Sequence, residues 1–169
     1  PSLERKFQNE TLNFLQIPSQ KRISSMKNRH VSADEIIITD HPYNLTNNPM
    51  YDSDHIPNWI LNFLRKSFLQ IGNNKSLPKK IYIDRKDAPK EHNKLRHIIN
   101  ENQVKEFLIS KGFNSVILSD YKFKDQVSLF KNADYIVGLH GSGLGNIVFC
   151  NKKTNILEIR PVNSGPTFE

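Results

Sequence analysis

The chain has 169 residues, 37% of them hydrophobic and 24% charged, with 10 Phe and 5 Tyr; it is sized for one domain, or one domain plus a piece of another, and this composition excludes wholesale disorder. Lys and Arg number 24 against 17 Asp and Glu, a formal net charge of +7, which suits phosphate-bearing partners: nucleotide-sugars, nucleic acid or an anionic membrane face. The basic residues are dispersed, as in Lys21-Arg22, Lys79-Lys80, Lys122, Lys124 and Lys152-Lys153, without an arginine-rich tract or an aromatic-basic array, so nucleic acid is the weaker choice.

In chain order, Glu4 to Leu15 reads as a short helix, with Phe7, Thr11, Phe14 and Leu15 near helical spacing, ended by Ile17-Pro18-Ser19. Glu35 to Thr39 reads as a buried strand, and Asp40 to Asp54 as a loop broken by Pro42 and Pro49. Ile56 to Ile71 predicts a strong amphipathic helix, because Ile56, Trp59, Ile60, Phe63, Leu64, Phe68 and Ile71 recur at three and four. Pro57 falls in its first turn, and Gly72-Asn73-Asn74 stops it. Asn73 to Pro78 reads as a linker. From Lys79 a regular alternation begins. Ile81-Tyr82-Ile83 is a strand, Val104, Phe107 and Leu108 mark a helix closed by Gly112, and Val116-Ile117-Leu118 is a strand. Phe123 to Asn132 is a helix with Val127, Phe130 and Ala133 on one face; Tyr135 to Leu139 is a strand, Leu144 to Cys150 a short helix, and Ile156 to Ile159 a strand ended by Pro161. Strands alternating with helices predict an α/β fold: a Rossmann-like parallel sheet flanked by helices.

Cys150 is the single cysteine and forms no internal disulfide, so a reducing compartment is the default and the thiol reads as a small buried hydrophobe. No apolar run reaches the roughly 18 to 20 residues that span a bilayer. No signal peptide is visible, but Pro1 is not a natural start. The chain reads as a piece of a longer one, which leaves the parent's targeting signals open.

Ligands in parallel sheets bind outside the carboxyl ends of the strands. Here the ends carry Asp84-Arg85, Ser119-Asp120, His140-Gly141-Ser142-Gly143 and Arg160. A glycine-rich turn lets backbone N–H groups approach an anion, and the following helix adds its dipole. Arg offers a planar fork for phosphate oxygens, and His140 can donate, accept or shuttle a proton. The set predicts a diphosphate site with an acid/base nearby. The bland readings are a tight turn with His140 capping a helix, Arg85 paired on the surface with Asp87, and Arg160 as a solvated strand end. Asp120 reads as the cap of the next helix. His92 and His97 read as exposed. His41 and His55, with Asp40, Asp52 and Asp54, match no metal-ligand spacing, so no metal is expected.

The order of features is more specific than any one of them. Arg85 is followed by Arg96-His-Ile-Ile-Asn100-Glu101, Lys111-Gly-Phe, Phe123-Lys-Asp-Gln126, Ile136-Val-Gly-Leu-His140-Gly-Ser-Gly-Leu144-Gly-Asn146 and Leu157-Glu158-Ile-Arg-Pro161. This resembles the family sixty-one glycosyltransferases, which include bacterial capsular polysaccharide biosynthesis proteins. The Pro57 to Arg65 helix also fits. The resemblance implies a GT-B-like architecture: residues 1–74 as the tail of a first, acceptor-side domain with an interdomain helix, and residues 75–169 as the donor-binding domain. It implies inverting transfer from a nucleotide-sugar, commonly a UDP-sugar, to a glycan acceptor without an essential metal, in the cytoplasm or at the inner membrane face. It marks Arg85, Arg96, Asn100, Glu101, His140, Gly141, Ser142, Gly143, Leu144 and Glu158 as the cleft; Arg160 stands where an apolar residue is frequent, and Ser142 where many members carry alanine. His140 is then the candidate base, or else a hydrogen-bond partner of the diphosphate or sugar. Glu101 and Glu158 hold the arginines or the ribose. The alternative is a nucleotide-binding module without catalysis.

Overall fold

The computed structural model describes residues 5–37, 56–88 and 97–160. Among these, β1 (Lys80–Asp84), β2 (Asn114–Ile117), β3 (Tyr135–Leu139) and β4 (Asn155–Ile159) form one parallel sheet in the order β2-β1-β3-β4. The helices of the described chain are α1 (Lys6–Phe14), α2 (Asn58–Phe68), α3 (Glu101–Ser110) and α4 (Phe123–Asn132), with short 3₁₀ pieces at Ser19–Lys21, Leu69–Ile71 and Leu118–Asp120 and a longer one at Ser142–Phe149. The fold is the expected Rossmann-like α/β sheet flanked by helices.

The chain runs from β1 outward to β2 through α3, then reverses past β1 to β3 through α4, and on to β4 through the 3₁₀ helix. Reversing direction while changing face keeps all crossovers of one hand. Two apolar clusters result. Ile81, Ile83, Val116 and Ile136 meet Val127, Phe130, Leu144 and Phe149 on one face; Tyr82 and Val137 meet Leu108, Val104 and Phe113 on the other. β1 and β3 are buried on both faces, as continuous apolar runs require, whereas Ile156 and Leu157 of the edge strand β4 stay exposed. Gly112, at φ 83°, ends α3 in the left-handed region, where a Cβ is disfavoured.

Helix α2 belongs to this core. Phe68 is 1% exposed and stacks edge-on with Phe123 (centroids 5.1 Å) and Phe149 (6.4 Å). Arg65 donates to the carbonyls of Val148 and Cys150. The segment expected as a linker is pinned to α4: Ser128 Oγ accepts from Asn74 N–H (3.2 Å), Asn132 donates to Asn74 O (3.1 Å), and Lys131 Nζ donates to the Leu69 and Gly72 carbonyls (3.0 Å each). Residues Asn73 to Ser76 are themselves exposed and carry no regular secondary structure, as a connecting segment would be, but hydrogen bonds at Asn74 and just before it tie the connection to α4.

Other expectations are corrected. Glu35, Ile36 and Ile37 form no strand and are exposed, Ile37 at 85%; β-propensity is a fit to a half-buried pleated surface, and no described strand pairs with this run. Ile38, Thr39, the Asp40–Asp54 loop, His55 and Glu4 lie outside the described residues. Only part of the apolar face of α2 is buried, since Ile56, Trp59 and Phe63 are exposed. Phe107 also faces outward, under the Lys111 ammonium at 5.5 Å. Pro57 precedes the first helical residue of α2 rather than lying inside the first turn. Cys150 is buried as expected, and burial pushes its thiol up to about 11. α4 is not capped by Asp120: its first N–H, of Phe123, donates to Glu10 Oε2 of α1 at 2.5 Å. A carboxylate from α1 thus supplies the charge that a helix N-terminus favours.

Candidate active site

Alternation along the strands sorts the polar residues at the carboxyl end of the sheet onto two faces. Arg85 continues the face of Ile81 and Ile83, and His140 continues that of Ile136 and Gly138. Glu158, the register partner of Gly138, shares their face. β1 and β3 are also where the strand order reverses, the place at which a parallel sheet opens a ligand crevice.

The groups meet directly. Arg85 Nη1 donates to the His140 carbonyl at 2.9 Å, joining the ends of β1 and β3. The His140 N–H donates to the Ile159 carbonyl at 2.8 Å, so the β3–β4 ladder runs one residue past β3. His140 Nδ1 lies 2.7 Å from Glu158 Oε1, with the two side chains 12% and 16% exposed. Arg160 Nε stands 3.9 Å from Glu158 Oε2. A Cβ on Gly141 would lie 3.2 Å from Arg85 Nη1 and 3.3 Å from its Cζ, so the glycine permits the guanidinium to rest against the turn. Past it, Leu144 N–H bonds the Gly141 carbonyl at 2.9 Å. The N–H groups of Ser142 and Gly143 open the 3₁₀ helix and have no acceptor within it. Leu144 is 2% exposed and packs in the core, with its N–H taken by the Gly141 carbonyl. A Cβ on Gly145 would meet nothing within 4 Å; the run of three glycines is needed at its start and not at its end.

Of the residues expected in the cleft, Arg85, His140, Gly141, Glu158 and Arg160 converge, with Ser142 and Gly143 beside them. Arg85 turns to the His140 carbonyl and not to Asp87, which instead accepts from Ser119 N–H at 3.1 Å. Asn100 and Glu101 stand elsewhere, at the start of α3, where Ile99 to Gln103 line an opening of about 480 Å³. Arg96, His92 and the residues Asp40, His41, Asp52, Asp54 and His55 lie outside the described residues. His97 is exposed. Among the described residues, no three His, Cys, Asp or Glu side chains come together.

The opposite face holds a cluster that the sequence reading passed over. Asp84, 4% exposed, receives Lys105 Nζ at 2.6 Å, Lys86 N–H at 3.0 Å and Ser115 Oγ–H at 3.3 Å. Glu101 accepts the Tyr82 hydroxyl at 2.9 Å and stands 3.7 Å from Lys105. Burial alone would raise the Asp84 carboxyl; the Lys105 ammonium and the Lys86 N–H outweigh it, and the net shift is downward. Burial, then the bond to Glu101 and the two carboxylate charges, holds the Tyr82 hydroxyl well above its ordinary range. The available signals were an acid closing the apolar run Ile81-Tyr82-Ile83 and the four-residue spacing of Glu101 and Lys105.

The family described as Glycosyltransferase 61 matches residues 5–157. No curated protein and no solved structure matches the chain.

Proposed function

The chain belongs to glycosyltransferase family 61, and from that premise we propose that it takes part in inverting, metal-independent transfer of a sugar from a nucleotide-sugar, a UDP-sugar first among candidates, to a glycan acceptor. The observation that carries this reading is the Arg85 guanidinium bridging the ends of β1 and β3 beside the Gly141 turn and His140. A leaving diphosphate develops negative charge, and a fixed cation with adjacent backbone N–H groups stabilises it without reorganisation. Arg85 and the N–H groups of Ser142 and Gly143 offer that set. The acceptor hydroxyl must lose its proton as it attacks the anomeric carbon; His140, largely covered and held at the end of β3, is the base. The biological setting proposed is capsular or cell-surface polysaccharide assembly on the cytoplasmic side of the membrane. Residues 1–74 are proposed to lead from an acceptor-side domain of a GT-B-like enzyme, and 75–169 to hold the donor.

Calorimetric titration of the chain with UDP, GDP, CMP and UMP, with and without Mg²⁺, tests the donor site. Binding of one nucleotide that is indifferent to Mg²⁺ and lost in Arg85→Ala supports it. Binding that needs the metal, or that survives Arg85→Ala undiminished, counts against it. Nucleotide binding by the full-length enzyme without turnover of any donor would favour a non-catalytic module.

A further inference from the structure

Glu158 was expected to hold an arginine or the nucleotide ribose. It does stand beside an arginine, Arg160, but its shorter contact is to His140. One carboxylate oxygen sits 2.7 Å from Nδ1 of His140, and the other faces Arg160 at 3.9 Å. The pair is fixed from both sides by backbone: Gly138 is the register partner of Glu158, Leu139 that of Ile159, and His140 N–H closes on Ile159 O at 2.8 Å. Glu158 and His140 lie on the same face of the sheet, and the carboxylate reaches along it to the imidazole.

We propose that Glu158 is a positioning residue for His140: it accepts the Nδ1 proton and so makes Nε2 the nitrogen that bears the lone pair. A carboxylate oxygen can only accept, so the imidazole nitrogen facing it must be the protonated one. The use of Nε2 rests on the transferase reading; the tautomer does not. In the transfer step Nε2 takes the acceptor hydroxyl proton as that oxygen bonds the anomeric carbon. The bond from that carbon to the diphosphate oxygen breaks, and its electron pair leaves with the nucleoside diphosphate. The imidazolium is then held between the acceptor side and the Glu158 carboxylate, and returns its proton to solvent. Among the described residues, Glu158 on β4 meets the His140 ring, Arg160 just past it reaches the other Glu158 oxygen, and Arg85 bonds the His140 carbonyl.

Nitrogen-15 NMR of the histidine rings in the intact chain, at alkaline pH, tests the assignment. A His140→Gln spectrum identifies the resonance. The expected result is a proton on Nδ1 and a bare Nε2. Glu158→Ala should move the proton toward Nε2, and Glu158→Gln, which keeps an acceptor of the same shape, should retain most of the Nδ1–H form. A proton on Nε2 in the unsubstituted chain overturns the proposal, as does a tautomer unmoved in Glu158→Ala. The unsubstituted measurement stands whether or not the alanine variant folds. UDP affinity unchanged in Glu158→Gln separates positioning from donor binding, whereas a tenfold or larger loss assigns Glu158 to the donor. In the full-length enzyme, Glu158→Gln should lower kcat about 10²-fold with donor KM unchanged. Absent nucleotide binding would sink the transferase reading and leave the tautomer result standing.

Discussion

Adjacent residues at the end of β1 serve opposite purposes. Asp84 points into the face covered by α3, where Lys105, Ser115 and the Lys86 N–H surround it. Arg85 points to the other face and reaches across to the β3 turn, His140 and, through it, Glu158. The two clusters lie at the same end of one sheet and each is partly open at its rim, at Glu101 (36% exposed) and at Arg160 (25%), but the first centres on a carboxylate only 4% exposed and the second on the His140–Glu158 pair at 12% and 16%. The difference teaches that polar burial does not by itself mark a reaction centre. The Asp84 carboxyl is held below the ordinary aspartate range by the Lys105 ammonium and the Lys86 N–H against the effect of burial, and these partners explain it as a structural anchor. The His140 cluster is marked instead by convergence at the reversal of strand order and by backbone donors beside it.

The comparison can be broken by substitution. The largest stability effect belongs to the Asp84 side: Lys105→Met leaves Asp84 buried without its ammonium and should cost about 3–5 kcal/mol in denaturant unfolding. Because the folded Asp84 carboxyl is lowered, its contribution is present above the ordinary aspartate range and is lost as pH falls through the folded value. Unfolding followed through the acid range should show that loss shrink in Lys105→Met. On the His140 side, His140→Ala should lower transfer by the full-length enzyme about 10²–10⁴-fold; a matching collapse of the melting temperature would put His140 with the anchors. Arg85→Ala should weaken nucleotide binding by about 1.5–3 kcal/mol, the range for a hydrogen bond to a charged group, with far-UV circular dichroism unchanged. The smallest effect is Tyr82→Phe, about 0.5–1.5 kcal/mol for one hydrogen bond. Its folded pKa is raised, so the hydroxyl's contribution is present below the ordinary tyrosine range and lost as pH rises beyond it. An alkaline melting series that does not distinguish Tyr82→Phe from the parent would remove Glu101 from the anchor.

Much of the fold was legible because apolar runs of four or five residues separated by amphipathic stretches admit few arrangements. β3 and α4 fall where periodicity puts them; His140, Gly141, Arg85 and Arg160 were named from their positions at strand ends, and Glu158 from the family resemblance. The Ile36-Ile37 run misled because a strand is stabilised by its neighbour and propensity does not supply one. The Asn73–Pro78 stretch is irregular as expected, but its tie to α4 was not legible, because it runs through the Asn74 backbone, which bonds Ser128 Oγ and the Asn132 amide. Asp120 was preferred as a cap on local spacing, but Glu10, over a hundred residues away in sequence, takes the Phe123 N–H.

The sequence by itself determined the alternation of strands and helices, the residues that end each strand and the membership in a family of sugar transferases, since each depends on local pattern or on the order of motifs. Only the tertiary structure decided which strand ends are neighbours, and hence that Glu158 meets His140 while Asp84 and Arg85 part company. Side chains alternate every residue, and strand order is a long-range pairing that no local window records.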